Sequence, residues 1–319
     1  MTTLISGASG FVGAALAEAL VARGEAVLGV DRKADPAAPE SALYRFVPQD
    51  LSQPGALDAI LAAGPVATMV IGAAVTADAE RERSDPAGIV SINIGAVAEA
   101  VRAAAAHGVG RVLYLGSGAV YGDSASGADP LVEDATPLRP RSLYAITKQA
   151  GEATALRLAE SFGIRLVTAR LGTCFGPFER DTGVRDTLSA PYQVLRLAEA
   201  GRAARLPRPA RRDWLYIRDA VAGLLALLDA PALPHRVYNV AAGFEWSLAE
   251  WCEQVAARHS GFEWSLSGPE EANVRLYDAF DRAPMSIARL VAETHYRPRY
   301  DLPAAAADFL EMPSRRVRR

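Results

Sequence analysis

Tyr144 and Lys148 are the residues of this sequence whose types and spacing are best suited to chemistry. They stand four positions apart in Tyr-Ala-Ile-Thr-Lys, so on a helix both side chains lie on one face. A phenol titrates near pH ~10 and is a poor base at neutral pH. A neighbouring ammonium favours the phenolate, so Lys148 can bring Tyr144 into the range for proton exchange with a substrate hydroxyl. An incidental surface pair is the alternative, but lysine is rare here, at two lysines against 32 arginines.

Ser117 is the third candidate, in the glycine-rich stretch Leu-Gly-Ser-Gly-Ala-Val-Tyr-Gly that follows an apolar run. A hydroxyl at the end of a strand can donate a hydrogen bond to a substrate oxygen whose charge changes during the reaction. By itself a serine in such a loop is usually a turn residue. The prediction that Ser117 is catalytic therefore depends on the presence of Tyr144 and Lys148.

Three glycines recur at intervals of three residues near the start of the chain, between a predicted strand at 2–6 and a predicted helix at 11–23. This placement permits a tight turn, close approach of the backbone to a pyrophosphate, and exposure of unpaired N–H groups at the start of the helix. We therefore predict a dinucleotide site. Its predicted contacts in this loop are Gly7, Gly10, Phe11, Val12 and Gly13.

Asp31 ends the predicted strand 26–31, eighteen positions after Gly13. A carboxylate about twenty residues beyond the glycine loop hydrogen-bonds the adenosine ribose and repels a 2′-phosphate, which favours NAD. Arg32 and Lys33 follow directly, and a basic residue there can receive the 2′-phosphate, so NADP is the less favoured alternative.

The elements that must position these residues alternate along the first two-thirds of the chain, where short apolar runs are followed by longer alanine- and leucine-rich stretches. This alternation is typical of βαβ units around a parallel sheet. The predicted strands are 2–6, 26–31, 43–48, 67–73, 111–116 and 164–170. The predicted helices are 11–23, 55–63, 86–107 and 144–162.

Beyond about residue 173 the pattern changes, because prolines divide the chain into shorter pieces, with an apolar run at 236–240 and a helix near 247–259. We expect a smaller lobe over the carboxyl edge of the sheet, where ligands of open α/β sheets bind. The predicted fold is thus α/β, a Rossmann-type doubly wound parallel sheet with a smaller C-terminal substrate lobe. The predicted domains are an NAD-binding domain at 1–172, with core elements returning near 212–240, and a mainly substrate-binding lobe at 173–319.

Composition limits the other possibilities. The chain has 319 residues, half of them apolar, and a net charge of −3, which gives no general attraction to nucleic acid or anionic lipid. No apolar run reaches the ~18 to 20 residues of a membrane helix, and the N-terminus lacks a basic leader. Two cysteines and four scattered histidines predict neither disulfides nor a metal site. We expect a cytoplasmic protein that binds neither nucleic acid nor membrane.

The glycine loop, Ser117 before Val-Tyr-Gly, and the Tyr-x-x-x-Lys pair together resemble the extended short-chain dehydrogenases/reductases, the NAD-dependent epimerase/dehydratase family. Most of the chain takes part in this resemblance. The further segments similar to the family's pattern are Asp50-Leu51, Gly72-Ala73-Ala74, Asn93, Arg170 to Pro177, Arg212 to Asp219, Val237 to Val240 and Arg297 to Tyr300.

The resemblance implies a set of site residues. It assigns catalysis to Ser117, Tyr144 and Lys148. Beyond the glycine loop, the implied cofactor contacts are Asp31, Arg32, Asp50, Leu51, Ala73, Ala74, Asn93, Tyr144, Lys148 and Leu171. The implied substrate contacts are Thr76, Gly118, Ala119, Thr173 and Arg212. Because family members commonly pair the helices 86–107 and 144–162 with those of a second copy, it also implies a homodimer.

The resemblance also narrows the reaction. In this family a hydride leaves a carbinol carbon for the nicotinamide while the tyrosine takes the hydroxyl proton. Epimerases return the hydride to the other face, dehydratases eliminate water, and dehydrogenases release NADH. Family dehydratases carry an acidic pair directly after the strand-end hydroxyl residue. Here those positions are Gly118 and Ala119, which disfavours a dehydratase.

The substrate is less well defined by the sequence. Thr173 replaces the family's usual asparagine, and the Arg-Pro-Gly-Asp run that commonly helps to bind the diphosphate is not visible. Arginines nevertheless crowd the substrate lobe, and guanidinium forks suit a diphosphate or a carboxylate. These arginines are Arg180, Arg185, Arg205, Arg208, Arg211 and Arg212. We predict a ligand contact for Arg212 alone, since it falls on a family motif, and exposed loop positions for most of the others.

Three functions follow as hypotheses. The first is an NAD-dependent sugar oxidoreductase/epimerase, most simply a 4-epimerase-like enzyme acting on a nucleotide sugar. The second is an NAD-dependent dehydrogenase of a free sugar, sugar acid or other small hydroxy compound, with an arginine for a carboxylate. The third is a non-catalytic dinucleotide-binding protein on the same fold, which is disfavoured because a binder has no use for an activated phenol.

Overall fold

Residues 1–181 and 186–312, which the computed structural model of the chain describes, form thirteen strands and eleven α-helices. The strands are β1 (Thr2–Ser6), β2 (Ala26–Asp31), β3 (Tyr44–Pro48), β4 (Thr68–Ile71), β5 (Arg111–Ser117), β6 (Leu166–Leu171), β7 (Thr173–Phe175), β8 (Ala204–Leu206), β9 (Arg211–Arg212), β10 (Trp214–Tyr216), β11 (Val237–Val240), β12 (Trp246–Ser247) and β13 (Trp264–Leu266). The helices are α1 (Phe11–Ala22), α2 (Asp58–Ala62), α3 (Ala79–Ser84), α4 (Pro86–Val90), α5 (Ala96–Ala106), α6 (Leu143–Phe162), α7 (Ala190–Glu199), α8 (Ile217–Asp229), α9 (Leu248–Ala256), α10 (Ala288–Glu293) and α11 (Leu302–Leu310).

Seven parallel strands form the central sheet, in the order β11-β6-β5-β4-β1-β2-β3. The strand order reverses between β1 and β4, so a crevice opens there at the carboxyl ends of the strands. The predicted doubly wound α/β fold is confirmed, and each of its six predicted strands agrees with an observed strand to within two residues at either end. The apolar run at 236–240 corresponds to β11, which lies beside β6 in the same sheet.

Helices cover both faces of this sheet, because alternate strand residues point to opposite sides. On one side Ile5 and Leu113 join a core that includes Leu16 of α1 and Leu224 of α8. On the other side Leu4 and Val112 join a core built with α2, α5 and α6. The sheet is therefore held rigidly between two helical layers, with its carboxyl edge free to present loops.

The helix predicted at 86–107 differs from the observed structure. A π-helical turn, Ser91–Gly95, separates α4 from α5 and turns the side chain of Asn93 into the interior. The continuous run Pro86–Ala106 is 21 residues long and, by length and composition alone, apolar enough to cross a membrane, as core helices of soluble proteins also are. The inner face of α5, including Val97 and Val101, lies in the second core.

The C-terminal lobe has its own aromatic core. The ring of Phe175 lies 5.3 Å from that of Tyr216, and 5.4 Å from those of Trp246 and Trp251, measured between centroids. Three two-stranded sheets surround it, pairing β7 with β10, β9 with β12, and β8 with β13. Because β7 directly follows β6, this lobe is attached at the carboxyl edge of the central sheet, above the crevice.

Candidate active site

Lys148 of α6 reaches the strand that carries Ser117. Helix α6 begins after Ser142, whose hydroxyl accepts a hydrogen bond from the N–H of Ala145 at 3.2 Å. The Lys148 side chain is buried, and its Nζ donates to the carbonyl of Leu115 at 2.6 Å. The same ammonium lies 4.4 Å from the centre of the Tyr114 ring. These contacts fix Lys148 two residues from the end of β5.

Burial governs the protonation of Lys148. Loss of solvent lowers the pKa of its ammonium to about 7, although the carboxylate of Glu152, one helical turn on, acts to raise it. Glu152 is itself engaged, because its Oε1 lies 2.6 Å from a guanidinium nitrogen of Arg170 in β6. A lysine with a pKa near neutrality can change its charge during a catalytic cycle at ordinary pH.

Tyr144 lies near the start of α6, and Ser117 lies at the carboxyl end of β5. Tyr144 is the second residue of α6, half-buried, and sits one turn before Lys148 on the same helix face. Ser117 closes β5, and its Oγ accepts a hydrogen bond from the N–H of Ala119 at 3.2 Å, starting a short 3-10 turn. As an acceptor in this bond, the hydroxyl keeps its proton for donation to a substrate oxygen.

Asn93 fastens the catalytic helix to the cofactor side of the crevice. Its amide accepts from the N–H of Val75 at 2.8 Å and donates to the carbonyl of Val75 at 3.0 Å. It also donates to Oγ1 of Thr147 at 3.0 Å, and Thr147 donates to the carbonyl of Tyr144 at 3.0 Å. These bonds link the loop after β4 to the residues of α6 beside Tyr144, and they use the side chain of Asn93, which the family resemblance assigns to the cofactor.

The glycine loop has the shape that a dinucleotide requires. Gly7 has a φ of +74°, and a Cβ there would lie 2.6 Å from the backbone nitrogen of Ala73. A Cβ on Gly13 would lie 2.2 Å from the carbonyl oxygen of Gly7. Helix α1 starts at Phe11 with no side-chain cap from Gly10 and no acidic residue in its first turn, so no carboxylate of this turn opposes the binding of a phosphate there.

The residues predicted for the adenosine end differ in how the structure uses them. Asp31 ends β2, accepts from the N–H of Ser9 at 3.1 Å, and has its pKa raised by burial. Its carboxylate therefore borders the glycine loop. Arg32 is exposed, and the exposed Asp50 accepts from the N–H of Ser52 at 3.0 Å within its own turn. Leu51 packs partly into the second core.

The remaining predicted contacts surround the crevice. Ala73 and Ala74 follow β4 and are half-buried, and Leu171 is the last residue of β6. Thr76 accepts through its carbonyl from the N–H of Asp186 at 3.2 Å. Gly118 is buried under Met285, because a Cβ on Gly118 would lie 2.5 Å from the Met285 sulfur.

Arg212 and Thr173 meet in the substrate lobe. The buried guanidinium of Arg212 donates to Oγ1 of Thr173 at 3.0 Å and forms an ion pair with Asp278. It also lies 5.2 Å from the Trp214 ring centre, as in a cation–π contact. Two predicted substrate residues from segments 39 positions apart are therefore in direct contact.

Sequence reasoning missed several charged groups of this region. Arg180 is largely buried and pairs with Asp35 at 2.5 Å, while the buried Arg282 donates to the carbonyl of Gly118. Arg208 is also partly buried and donates to the carbonyl of Asp278 at 3.0 Å. The sequence predicts exposed loop positions for most of the arginines other than Arg212, and Arg180 and Arg208 are exceptions with partly buried side chains. Arg185 lies outside the described residues.

Comparisons with known proteins place these features in context. The model of the "NAD dependent epimerase/dehydratase family" matches residues 3–241. The chain is 35% identical over 179 residues to GDP-6-deoxy-D-mannose reductase of Pseudomonas aeruginosa, covering 54% of this chain and 57% of that protein. It is 31% identical to UDP-glucuronate 4-epimerase 5 of Arabidopsis thaliana, covering 91% of this chain and 62% of that protein. The chain thus spans less than two-thirds of the length of these curated relatives.

A solved structure shares the fold over almost the whole chain. The UDP-glucose 4-epimerase of Thermotoga maritima, crystallised with UDP-glucose, superposes with a TM-score of 0.82 at 17% identity, covering 98% of each chain. At this level of identity the likeness concerns the fold, which matches the doubly wound sheet and the C-terminal lobe described above.

Proposed function

Because this chain belongs to the NAD dependent epimerase/dehydratase family, we propose that it is an NAD-dependent enzyme that inverts a carbinol centre of a nucleotide sugar. The observation that carries the proposal is the buried Lys148, held against β5 one turn from Tyr144 and two residues from Ser117. A protein that only binds a dinucleotide has no need of a buried ammonium beside a phenol.

The glycine loop and its neighbours fit the cofactor. The backbone of Gly7 to Gly13 and the N-terminus of α1 would hold the pyrophosphate, and Asp31 the adenosine ribose. Lys148 would hold the nicotinamide ribose. When bound, the nicotinamide supplies hydride acceptance and return at the substrate carbon. The further residues assigned to this groove are Arg32, Asp50, Leu51, Ala73, Ala74 and Leu171.

Residues of this chain transfer the proton of the substrate hydroxyl. Ser117 donates a hydrogen bond to the substrate oxygen and orients it toward Tyr144. Tyr144 takes the hydroxyl proton as the carbonyl forms and returns it afterwards, while the Lys148 ammonium favours the phenolate. Asn93 positions Tyr144 through Thr147. A site of this kind serves either face of the carbonyl, as inversion requires.

The arginines of the substrate lobe support a nucleotide diphosphate. Arg208 and Arg212 lie near Asp278, and both have partly or fully buried side chains. Guanidinium groups bind diphosphate oxygens in bidentate fashion, and limited solvent access strengthens such contacts. We assign Thr173 and Arg212 to substrate binding, with Thr76, Gly118 and Ala119 at the sugar.

A retained cofactor distinguishes an epimerase from an enzyme that releases NADH. Arg180 belongs to the segment after β7, yet it donates to the carbonyl of Ser9 in the glycine loop at 3.4 Å and pairs with the buried Asp35 after β2. Its segment is anchored by Glu179, which accepts from the N–H of Ser189 at 2.6 Å. This bridge across the adenosine end of the groove favours slow cofactor release and therefore an epimerase.

We expect Arg180→Gln to release NAD faster by roughly 10-fold, because a lost partner of a buried ion pair acts mainly on the dissociation rate. Asp35→Asn should have the same effect, since both variants break one bridge. The measurement is the loss of bound NAD from loaded protein after rapid dilution. Arg23→Gln, which removes an exposed ion pair with Asp229, is the matched control. Unchanged release from both bridge variants would show that the bridge does not retain the cofactor.

A second candidate is a reductase or dehydrogenase with exchangeable cofactor. It is favoured by the 35% identity to a GDP-6-deoxy-D-mannose reductase over the part of the chain that the two share. The same site would then run one hydride transfer per cofactor bound, and net oxidation or reduction would appear in solution.

One experiment separates the two candidates. The purified protein is denatured, the released dinucleotide is quantified by mass spectrometry, and intact protein is incubated with nucleotide sugars and followed by NMR. An epimerase should carry NAD and produce a sugar inverted at one carbon without net NADH. A protein that arrives empty and oxidises or reduces its substrate stoichiometrically is a dehydrogenase or reductase instead.

Assembly and location are finer proposals. Val90 of α4 and Ile146 of α6 are large apolar side chains, 42% and 45% exposed, on neighbouring helices. Covering them with the same helices of a second copy would form a homodimer, which light scattering can test and a monomeric mass would contradict. The cytoplasmic location stays a prediction.

A further inference from the structure

Arg282 is held beside the loop of Ser117 by backbone hydrogen bonds of the three residues that follow it. The N–H of Ala283 donates to the carbonyl of Ala125 at 2.8 Å, and the N–H of Leu131 donates to the carbonyl of Pro284 at 2.8 Å. The N–H of Met285 donates to the buried carboxylate of Asp213 at 2.8 Å. The segment that carries Arg282 therefore forms a wall of the site, with a defined position relative to Ser117.

The guanidinium of Arg282 contacts the residue directly after Ser117, donating to the carbonyl of Gly118. Its side chain keeps 10% of its surface exposed. This one donated hydrogen bond leaves most of the five N–H donors of the arginine for other partners. Gly118 directly follows Ser117, and consecutive Cα atoms are only about 3.8 Å apart, so a group bound by these donors lies within reach of the same sugar whose carbinol oxygen Ser117 would contact.

The positive charge of Arg282 is incompletely balanced by this protein. Within the described parts of the chain, the carboxylate that lies nearest to its guanidinium is that of Asp278 at 4.0 Å, and that carboxylate pairs more closely with Arg212. Asp213 attracts it from a distance, but burial raises the pKa of that carboxyl to about 6. Burial and the nearby Arg212 both lower the pKa of Arg282, so an additional anion beside it is favourable.

We propose that Arg282 is a specificity-determining residue that binds a carboxylate on the sugar ring, so that the preferred substrate is a nucleoside-diphosphate hexuronate. This inference rests on the proposed function. Gly118 and Ala119 carry no charged side chain, and Met285 fills the space beside Gly118, so Arg282 supplies the charge at this side of the site. A neutral hydroxymethyl group in the same place leaves the guanidinium without its partner, and sites built for a charged group discriminate strongly against analogues that lack it.

The test compares two sugars on one nucleotide. UDP, GDP and dTDP are first compared as ligands of the NAD-loaded protein by calorimetry, and the one that binds then carries either a hexose or the corresponding hexuronate. Wild-type protein should bind the hexuronate about 10- to 100-fold more tightly than the hexose, as expected for a hydrogen-bonded charge pair. Arg282→Gln should remove this preference and leave the affinity for the free nucleotide unchanged. Arg282→Lys, which keeps the charge, should restore part of it.

Arg258→Gln is the matched control, since it removes an arginine of the same lobe that lies just beyond the end of α9 and pairs with Glu311 at 3.8 Å. Its sugar preference should equal that of the wild type. Equal losses for hexose and hexuronate in Arg282→Gln would show that Arg282 only supports the loop, and a wild-type preference for the hexose would also overturn the inference. If none of the three nucleotides binds, the proposed function fails and the inference with it, whereas a hexose preference leaves the proposed function intact.

Discussion

Tyr144→Phe should lower turnover by about 10³-fold or more while leaving the fold and the bound cofactor in place. General acid–base groups contribute typically 10²- to 10⁴-fold, and a phenyl ring can neither accept nor return the substrate proton. Lys148 stays in its hydrogen bond to Leu115, so the cofactor contacts assigned to it survive. NMR measures the rate at which the epimer forms, under single-turnover and under steady-state conditions.

Bound NAD and the thermal unfolding midpoint of this variant should match those of the wild type. Tyr121→Phe is a useful comparison, because Tyr121 is a buried tyrosine of the same region whose hydroxyl bonds Asn239 at 2.9 Å and Arg170 at 3.1 Å. It should lose stability more than catalysis. Residual activity above about a tenth of the wild type in Tyr144→Phe would exclude Tyr144 as the proton-transfer group.

Lys148→Met should lower turnover by about 10²-fold or more. The same variant should stabilise the cofactor-free protein at neutral pH. The reason is that burial lowers the pKa of Lys148 from 10.5 to about 7, and each unit of that shift corresponds to about 1.4 kcal/mol against the charged form. Methionine fills a similar volume without a charge. After subtraction of the lost hydrogen bond to Leu115, a gain of about 1–3 kcal/mol in the free energy of unfolding at pH 7 is expected.

The gain in the free energy of unfolding of Lys148→Met should depend on pH in a way that identifies its cause. Between pH 7 and 10.5 the unfolded wild-type chain binds more protons at Lys148 than the folded chain does. Wild-type stability therefore rises with pH across that window through this group, and the advantage of Lys148→Met should shrink as pH rises. Urea unfolding of both cofactor-free proteins at several pH values measures the difference. An advantage that is constant from pH 7 to 10 would show that the ammonium is not the cause.

The proposed catalytic centre can be predicted from the sequence because its parts are local. Tyr144 and Lys148 lie within one helical turn, the glycines of the loop lie within seven residues, and Asp31 follows at a fixed distance along one βαβ unit. Alternating apolar runs were sufficient to predict the strands that position them, and the predicted family membership is confirmed by the match over residues 3–241. The roles of the individual site residues stay proposals.

The charged contacts of Arg282 and Arg180 could not be predicted from the sequence. Arg282 and Gly118 are 164 positions apart, and Arg180 and Asp35 are brought together from different lobes. Nothing in the local sequence around Arg282 distinguishes it from the other arginines of the chain. The π-helical turn at Ser91–Gly95 was missed for a related reason, since it depends on the tertiary bonds of Asn93 to Val75 and Thr147. Helix α8 is not predicted either, because the prolines of this region indicate short elements, whereas none of them falls within Ile217–Asp229.

Met285 over Gly118 bears on how catalytic activities diverge within a family. An acid directly after the strand-end serine is the feature by which family dehydratases differ from this chain, yet an aspartate at 118 would place its Cβ 2.5 Å from the Met285 sulfur. The Met285 sulfur belongs to a flexible side chain, so another rotamer can relieve this contact, but Met285 is buried and its movement disturbs the packing around it. The two positions are therefore coupled, and an acid at 118 should be tolerated better when residue 285 is smaller. A change of this site toward water elimination is thus expected to be easier in a protein whose side chain at 285 has first been shortened.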